Sequence, residues 1–141
     1  MTLSERNQPN ACPVTYALEI FGDRWTLLVL RDVLLEGRHR YKDVLAANPG
    51  LATNILTDRL KRLEKRGLLE RRKDPQDGRQ YLYLPTEQAV SLIPMLLEMV
   101  MWSFRSGGVP LPEGFEQRFD RDRTDFVAEL QDKARSSRAK L

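Results

Sequence analysis

The chain has 141 residues, 41% of them hydrophobic and 30% charged, with a formal charge of +3; that is enough for one domain with a real core and argues against wholesale disorder. A single cysteine excludes an intrachain disulfide framework, and with one histidine it falls short of the usual ligand count of a metal site. The first residues lack an apolar signal core, and the greasiest run, 90–104, is too short for a membrane span and is broken by Ser91, Pro94 and Glu98, so a reducing cytoplasmic setting without membrane contact is expected.

Pro13 reads as the first position of a helix, with Cys12 as its N-cap and Val14, Ala17, Leu18 and Phe21 on one face until Gly22. Asp23 is a good N-cap for "RWTLLVLRDVLLEG", a densely apolar helix closing at Gly37. "YKDVLAAN" predicts a short helix ended by "PG", and "ATNILTDRLKRLEKRG" the next one. "LLERRK" and "RQYLYLP" read as strands around the turn "DPQDG", in which Asp74 and Asp77 shape the turn and Gly78 supplies a positive φ. Thr86 can cap a last long helix through Phe104, which Pro94 should kink or restart. "GGVPLPEG" is a linker, followed by an amphipathic helix over about 124–134 and a frayed basic tail. The expected divisions are a flexible N-terminus (1–10), a domain (11–104), a linker (105–114) and a C-terminal helix with its tail (115–141). A short helix, a tight turn, an amphipathic helix and a hairpin make the layout of a winged helix-turn-helix: mainly α with a small β-hairpin, flanked by N- and C-terminal dimerisation helices.

Charge is concentrated where that layout would meet DNA. From Arg59 to Arg79 nine basic residues stand against four acidic ones, a local +5 that leaves −2 for the rest of the chain. Such a segment suits a polyanion. On a helical wheel Ala52, Leu56, Leu60 and Leu63 share the core face, while Asn54, Thr57, Asp58, Lys61, Arg62 and Lys65 point away. The outward face grades from hydrogen-bonding groups to cations, as base edges and then phosphates would require. Asn54 could read adenine and Lys61 guanine, while Asp58 could accept from cytosine or brace a neighbouring Arg. Arg72 and Arg79 flank the hairpin tip, where a wing can enter the minor groove or clamp the backbone. Thr53, at the start of the helix, and Arg40, from the basic stretch "RHRY", complete the DNA-contacting set. His39 reads as a surface residue near the same side.

The segments "CPV", "GDRWTLLVLRDVL", "RY" and "ATNILTDRLKRLEKRGLL" together resemble the HxlR-type family of bacterial winged-helix transcription regulators, over roughly residues 11–104. The wing "DPQDGRQYLYLPTEQA" looks more like that of MarR-type regulators, and Ala89 stands where the family usually has glycine. The resemblance implies a homodimer on a palindromic operator, assembled through the first and late helices, in a bacterial cytoplasm at the nucleoid. The apolar residues of 90–104 argue for a second subunit independently, since a helix greasy all round must be buried all round. The expected interface is Val14, Leu18, Phe21, Leu96, Met99 and Trp102; the alternative cover is the C-terminal helix, folded back through Phe126, Val127 and Leu130.

Cys12 would feel the positive end of the first helix, which raises its thiolate fraction. The resemblance implies a redox sensor for some family members; a small interface residue without a signalling role is the other reading. An effector, small molecule or oxidant, stays open: Trp25, Met95, Met99 and Trp102 could line a pocket between subunits or be plain core. No cofactor is expected, and no phosphate loop or nucleophile–base pair suggests an enzyme. The expectation is a DNA-binding regulator, a repressor, with double-stranded DNA and a second copy as partners; the alternative is a winged helix that binds an acidic protein without reading sequence.

Overall fold

The computed structural model describes residues 12–139; the expected flexible N-terminus lies outside them, as do Lys140 and Leu141. The first helix, α1 (Pro13–Phe21), begins where proline is tolerated and ends at Gly22. A Cβ on Gly22 would stand 2.3 Å from the Leu18 carbonyl oxygen, so only glycine lets the chain turn so closely. Helix α2 (Arg24–Leu34) carries the core residues Val29, Leu30, Val33 and Leu34. It stops before the expected Gly37, since Leu35 already caps it.

Asp23 caps α2 as expected: its carboxylate accepts from the Thr26 amide at 3.0 Å and the Thr26 hydroxyl at 2.6 Å. Arg59, from the fourth helix, donates to the same group at 3.0 Å. Partial burial raises the Asp23 pKa, but the Thr26 hydroxyl, Arg59 and the Thr26 amide outweigh it and hold the group at about 2. The folded value lies below the unfolded one, so the stabilisation is complete above the ordinary carboxylate range and lost as pH falls through that range towards 2. Asp23→Ala should therefore cost about 1 kcal/mol at pH 7, the usual worth of such a cap. In denaturant titrations its gap from wild type should shrink as pH approaches 2.

Helix α3 (Tyr41–Ala47), a turn with Gly50 at φ 90°, and α4 (Thr53–Lys65) follow. Leu56, Leu60 and Leu63 are buried as expected. Ala52 is not: it is the exposed N-cap of α4, one residue before the helical spacing begins to apply. Strands β1 (Leu69–Lys73) and β2 (Tyr81–Pro85) pair antiparallel, with Arg71 opposite Tyr83 and Arg72 opposite Leu82. Arg40 bridges to Leu82, and the Tyr83 amide donates to the His39 carbonyl at 2.8 Å. His39, expected as a plain surface residue, is thus a half-buried extension of the sheet, its Nδ1 3.2 Å from the Tyr83 carbonyl. Gly78 does not have the positive φ expected of it. Side chains make the turn instead: Asp74 accepts from the Gln76 amide and Asp77 from the Arg79 amide.

Thr86 does cap a helix, but a short one, α5 (Glu87–Val90); the chain breaks at Ser91–Leu92 and restarts as α6 (Ile93–Gly107) with Pro94 in its first turn. Taken together, 87–107 span 21 residues with a mean hydropathy of 1.2, long and apolar enough to cross a bilayer, which the run 90–104 alone is not. The break, and the burial of Ile93, Leu97 and Met101 in the common core, assign it to the globular domain. Downstream, α7 (Phe115–Arg121) precedes α8 (Arg123–Ala139), so the tail expected to fray is helical to Ala139.

Helix α8 folds back on the domain. Phe126 and Ala134 are buried, Val127 and Leu130 pack beside them, and Gln131 donates to the Val90 carbonyl at 3.3 Å. Arg138 reaches the Pro85 carbonyl and Glu70, tying the end of α8 to the base of the hairpin. The apolar α6 is therefore covered in part by its own chain. On these two helices Met99 and Trp102 of α6 and Val14, Tyr16 and Leu18 of α1 stay bare.

Candidate nucleic-acid interface

A buried polar knot sets the angle of the helix-turn-helix. Asp32 is fully buried in α2, yet Arg31 (2.7 Å), Arg38 (2.8 Å) and the Asn48 amide (2.7 Å) all donate to its carboxylate. Asn48 also donates to the Val44 carbonyl at 2.7 Å, so the turn between α3 and α4 hangs from α2. The sequence carried one signal for this, an acid in the middle of "LLVLRDVLLEG", where an unpaired charge would be costly. A second tie runs through Tyr41, whose hydroxyl donates to the Thr53 carbonyl at 2.9 Å and accepts from Thr57 at 3.4 Å. The start of α4 is thereby fixed to α3.

On α4 so held, Thr53, Asn54, Thr57, Lys61, Arg62 and Lys65 are all exposed. Asp58 braces arginines: Arg62 binds it at 2.9 Å and Arg59 at 2.5 Å. Arg59 belongs to the scaffold, its side chain mostly covered between Asp58 and Asp23. One of the nine basic residues in the charged segment is therefore a helix-to-helix strut.

The wing cations divide by the pleat. Alternation along β1 and the pairing with β2 put Arg71 and Lys73 on the face of Tyr81 and Tyr83, and Arg72 on the face of Leu82 and Leu84. Arg71 lies over the Tyr81 ring at 4.4 Å and reaches Glu64 of α4 at 3.6 Å, so its face adjoins the helix. Tyr41, Lys42, Arg79, Tyr81 and Tyr83 line a cleft of about 360 Å³ there. Arg72 instead pairs with Glu70 at 2.8 Å on the opposite face. Arg79 is nearly fully exposed beside Asp77, and Arg40 is drawn to Asp74 at 2.8 Å. Lys42, Lys61, Lys65 and Lys73 form no ion pair with another described residue. Period-two alternation places Arg71 and Lys73 on the helix side of the wing and Arg72, which flanks the turn, on the other.

Cys12 stands exposed at the N-cap of α1. Its thiol closes no capping hydrogen bond, yet the Thr15 amide, the Thr15 hydroxyl and the Val14 amide lie close enough to lower its pKa. Of the expected dimer residues, Val14, Leu18, Met99 and Trp102 are exposed; Phe21 is half-buried against the core, and Leu96 is buried inside the protomer beside Ile93 and Leu97. Trp25 and Met95 also pack against the core.

Residues 20–107 match the family described as HxlR-like helix-turn-helix. The HTH-type transcriptional regulator YvaP of Bacillus subtilis is 34% identical over 98 residues, covering 69% of this chain and 90% of YvaP. YodB of the same organism, another HTH-type transcriptional regulator, is 31% identical over 93 residues, covering 65% of this chain and 82% of YodB. Its reduced form superimposes with a TM-score of 0.56, at 30% identity over 67% of this chain and 93% of that one. The redox regulator HypR in its oxidised form gives a TM-score of 0.59 at 26% identity, over 67% of this chain and 97% of HypR. The α7–α8 segment lies beyond the family match.

Proposed function

This chain belongs to the HxlR-like helix-turn-helix family of transcription regulators, and from that premise we propose that it is a repressor that binds a palindromic operator as a homodimer. The observation that carries the reading is α4: an exposed face of Thr53, Asn54 and Thr57 leads into unpaired Lys61 and Lys65, on a helix fixed from behind by Tyr41 and the Asp32 knot. Inserted in the major groove, the first three and Lys61 meet base edges, while Arg62 and Lys65 meet phosphates. Arg79, with Lys42, Arg71 and Lys73 beside the tyrosine cleft, takes the adjacent backbone or minor groove. Arg62, Arg79 and, on the far face of the wing, Arg72 are exposed and paired to half-buried acids, contacts worth at most about 1 kcal/mol, so exchanging them for phosphate is cheap. Arg40 acts from the base of the wing. Residues 11–104 form the DNA-binding and dimerisation unit, and the setting is a bacterial nucleoid.

Two tests bear on this directly. Light scattering at micromolar concentration should give about twice the 16.4 kDa chain mass, and a clean monomer contradicts the dimer. Footprinting on the DNA flanking the coding region should protect two half-sites of an inverted repeat about one helical turn apart; uniform weak protection would favour a module that binds an acidic protein.

A redox input fits Cys12, which is exposed and enriched in thiolate, and the likeness to HypR and YodB supports it. Peroxide would convert the thiolate to a sulfenic acid, which a thiol of another molecule resolves to a disulfide with loss of water. Operator binding should then weaken under mild peroxide, and Cys12→Ser should keep its basal affinity and lose the response. An equal response in Cys12→Ser would remove the thiol from the switch.

A further inference from the structure

On the hairpin face opposite Tyr81 and Tyr83, a cavity of about 340 Å³ opens behind the wing. Val33 and Leu34 of α2, Leu82 and Leu84 of β2, and Ala134 of α8 give it apolar walls; Arg40, Asp43, Asp74 and Lys133 stand on its rim. We propose that this cavity binds a small apolar carboxylate, and that its occupancy weakens DNA binding through the wing; the second clause rests on the DNA-reading function proposed above.

The volume falls in the range of small-molecule sites, which pair apolar walls with a few placed polar groups. The donors with unused capacity are the cations Arg40 and Lys133 and the neutral side-chain amide of Gln76. Arg40 gives Nε to Asp74 and makes no other side-chain hydrogen bond with a described residue, and Lys133 forms no ion pair with one. The nearby hydroxyls already donate to their own helix, Ser136 to the Lys133 carbonyl and Ser137 to the Ala134 carbonyl. Of the two acids on the rim, Asp74 is held by Arg40 and the Gln76 amide, while Asp43 makes no such contact and acts on Arg40 only at a distance. The rim charges balance, Arg40 and Lys133 against Asp74 and Asp43, so a carboxylate is held by the free Nη donors of Arg40 and by Lys133 rather than by surplus positive charge, and a dianion is disfavoured. Lys133 and Ala134 belong to α8, beyond the family match, so the site is not built from the matched helix-turn-helix segment alone.

Coupling to DNA follows from Asp74. Its nearly buried carboxylate takes Arg40 on one oxygen and the Gln76 amide on the other, while its own amide donates to the Gln80 carbonyl at 2.9 Å. The wing loop is fastened there. A ligand carboxylate competes with Asp74 for Arg40, loosens that fastening, and adds negative charge beside the surface that meets phosphates. By linkage, DNA must weaken ligand binding by the same factor.

The test is an amide NMR titration of the full chain without DNA, using sodium octanoate and phenylacetate against octanol and phenylacetamide. Saturable shifts are expected around Leu35, Gln76 and 133–137, stronger for the carboxylates than for the neutral analogues. Lys133→Glu should weaken the carboxylates about tenfold, because it turns an attraction into a repulsion, and leave octanol unchanged; Ser136→Trp, at an exposed position on the cavity mouth, should block both. Shifts scattered over α1 and α6, equal binding of acid and neutral probes, or an unaltered Lys133→Glu would overturn the site. Octanoate should then lower duplex affinity of the wild type and not of Lys133→Glu. Ligand binding with unchanged DNA affinity would overturn the coupling, whereas failure of the ligand-free protein to bind DNA would count against the function and leave the cavity standing.

Discussion

Trp102→Glu should give a folded monomer with operator affinity reduced about 10²- to 10⁴-fold, the range that joining two binding modules supplies. Trp102 is 70% exposed within the protomer, so placing a charge there costs the fold little, and a surface change of this kind usually stays within about 0.5 kcal/mol. In a dimer the same position is desolvated against a second copy, and an unpaired carboxylate there is costly. Met99, one helical turn earlier on α6 and 46% exposed, extends the same bare stripe. Circular dichroism should match wild type while sedimentation gives a single chain. A dimeric Trp102→Glu protein with full affinity would move the interface elsewhere.

Asp32→Ala should destabilise the fold by about 3 kcal/mol, as expected when one partner of a buried charged network is removed. Arg31 and Arg38 would lose their common acceptor, and the Asn48 amide would lose the contact that fastens the turn before α4 to α2. For a chain of this length the melting temperature should drop by roughly 10 °C. DNA binding should fall below the loss explained by unfolding, since α4 no longer sits at a fixed angle. Thermal melting and duplex titration well below the transition separate the two effects. A loss under 1 kcal/mol would show that the arginines and Asn48 find other partners without Asp32.

Much of this arrangement was legible because local chemistry and tertiary structure agree. Pro13 and Asp23 begin their helices where expected, and the spacing of Leu56, Leu60 and Leu63 gives the buried face of α4 directly. The illegible parts depend on contacts far apart in sequence. Nothing near Arg59 indicates that Asp23, 36 positions earlier, will engage it, and a cation in a basic segment reads as solvent-facing by default. The return of α8 is legible only as the alternative to a second subunit, through Phe126, Val127 and Leu130; the tie that fixes its end, Arg138 to Glu70, spans 68 positions. Gly78 misled for a different reason: a glycine in a turn invites a positive φ, whereas Asp74 and Asp77 had already closed the loop with side-chain acceptors. In the wing, strand register determined which arginine faces the helix, and register comes from pairing rather than from composition.

The central claim is that α4 reads sequence while the surrounding cations hold the backbone. It is tested by affinities for operator and scrambled duplex at several salt concentrations, comparing Asn54→Ala, Thr57→Ala and Lys61→Ala with Lys65→Ala and Arg79→Ala. The first three should each cost roughly 1–3 kcal/mol per lost base contact on the operator and much less on scrambled DNA, with the loss visible in both half-sites. Lys65→Ala and Arg79→Ala should weaken both duplexes alike and reduce the salt slope by about one counterion per contact in each subunit. If Asn54→Ala and Arg79→Ala lower the two affinities in the same proportion, α4 does not read bases, and the account of this helix is wrong.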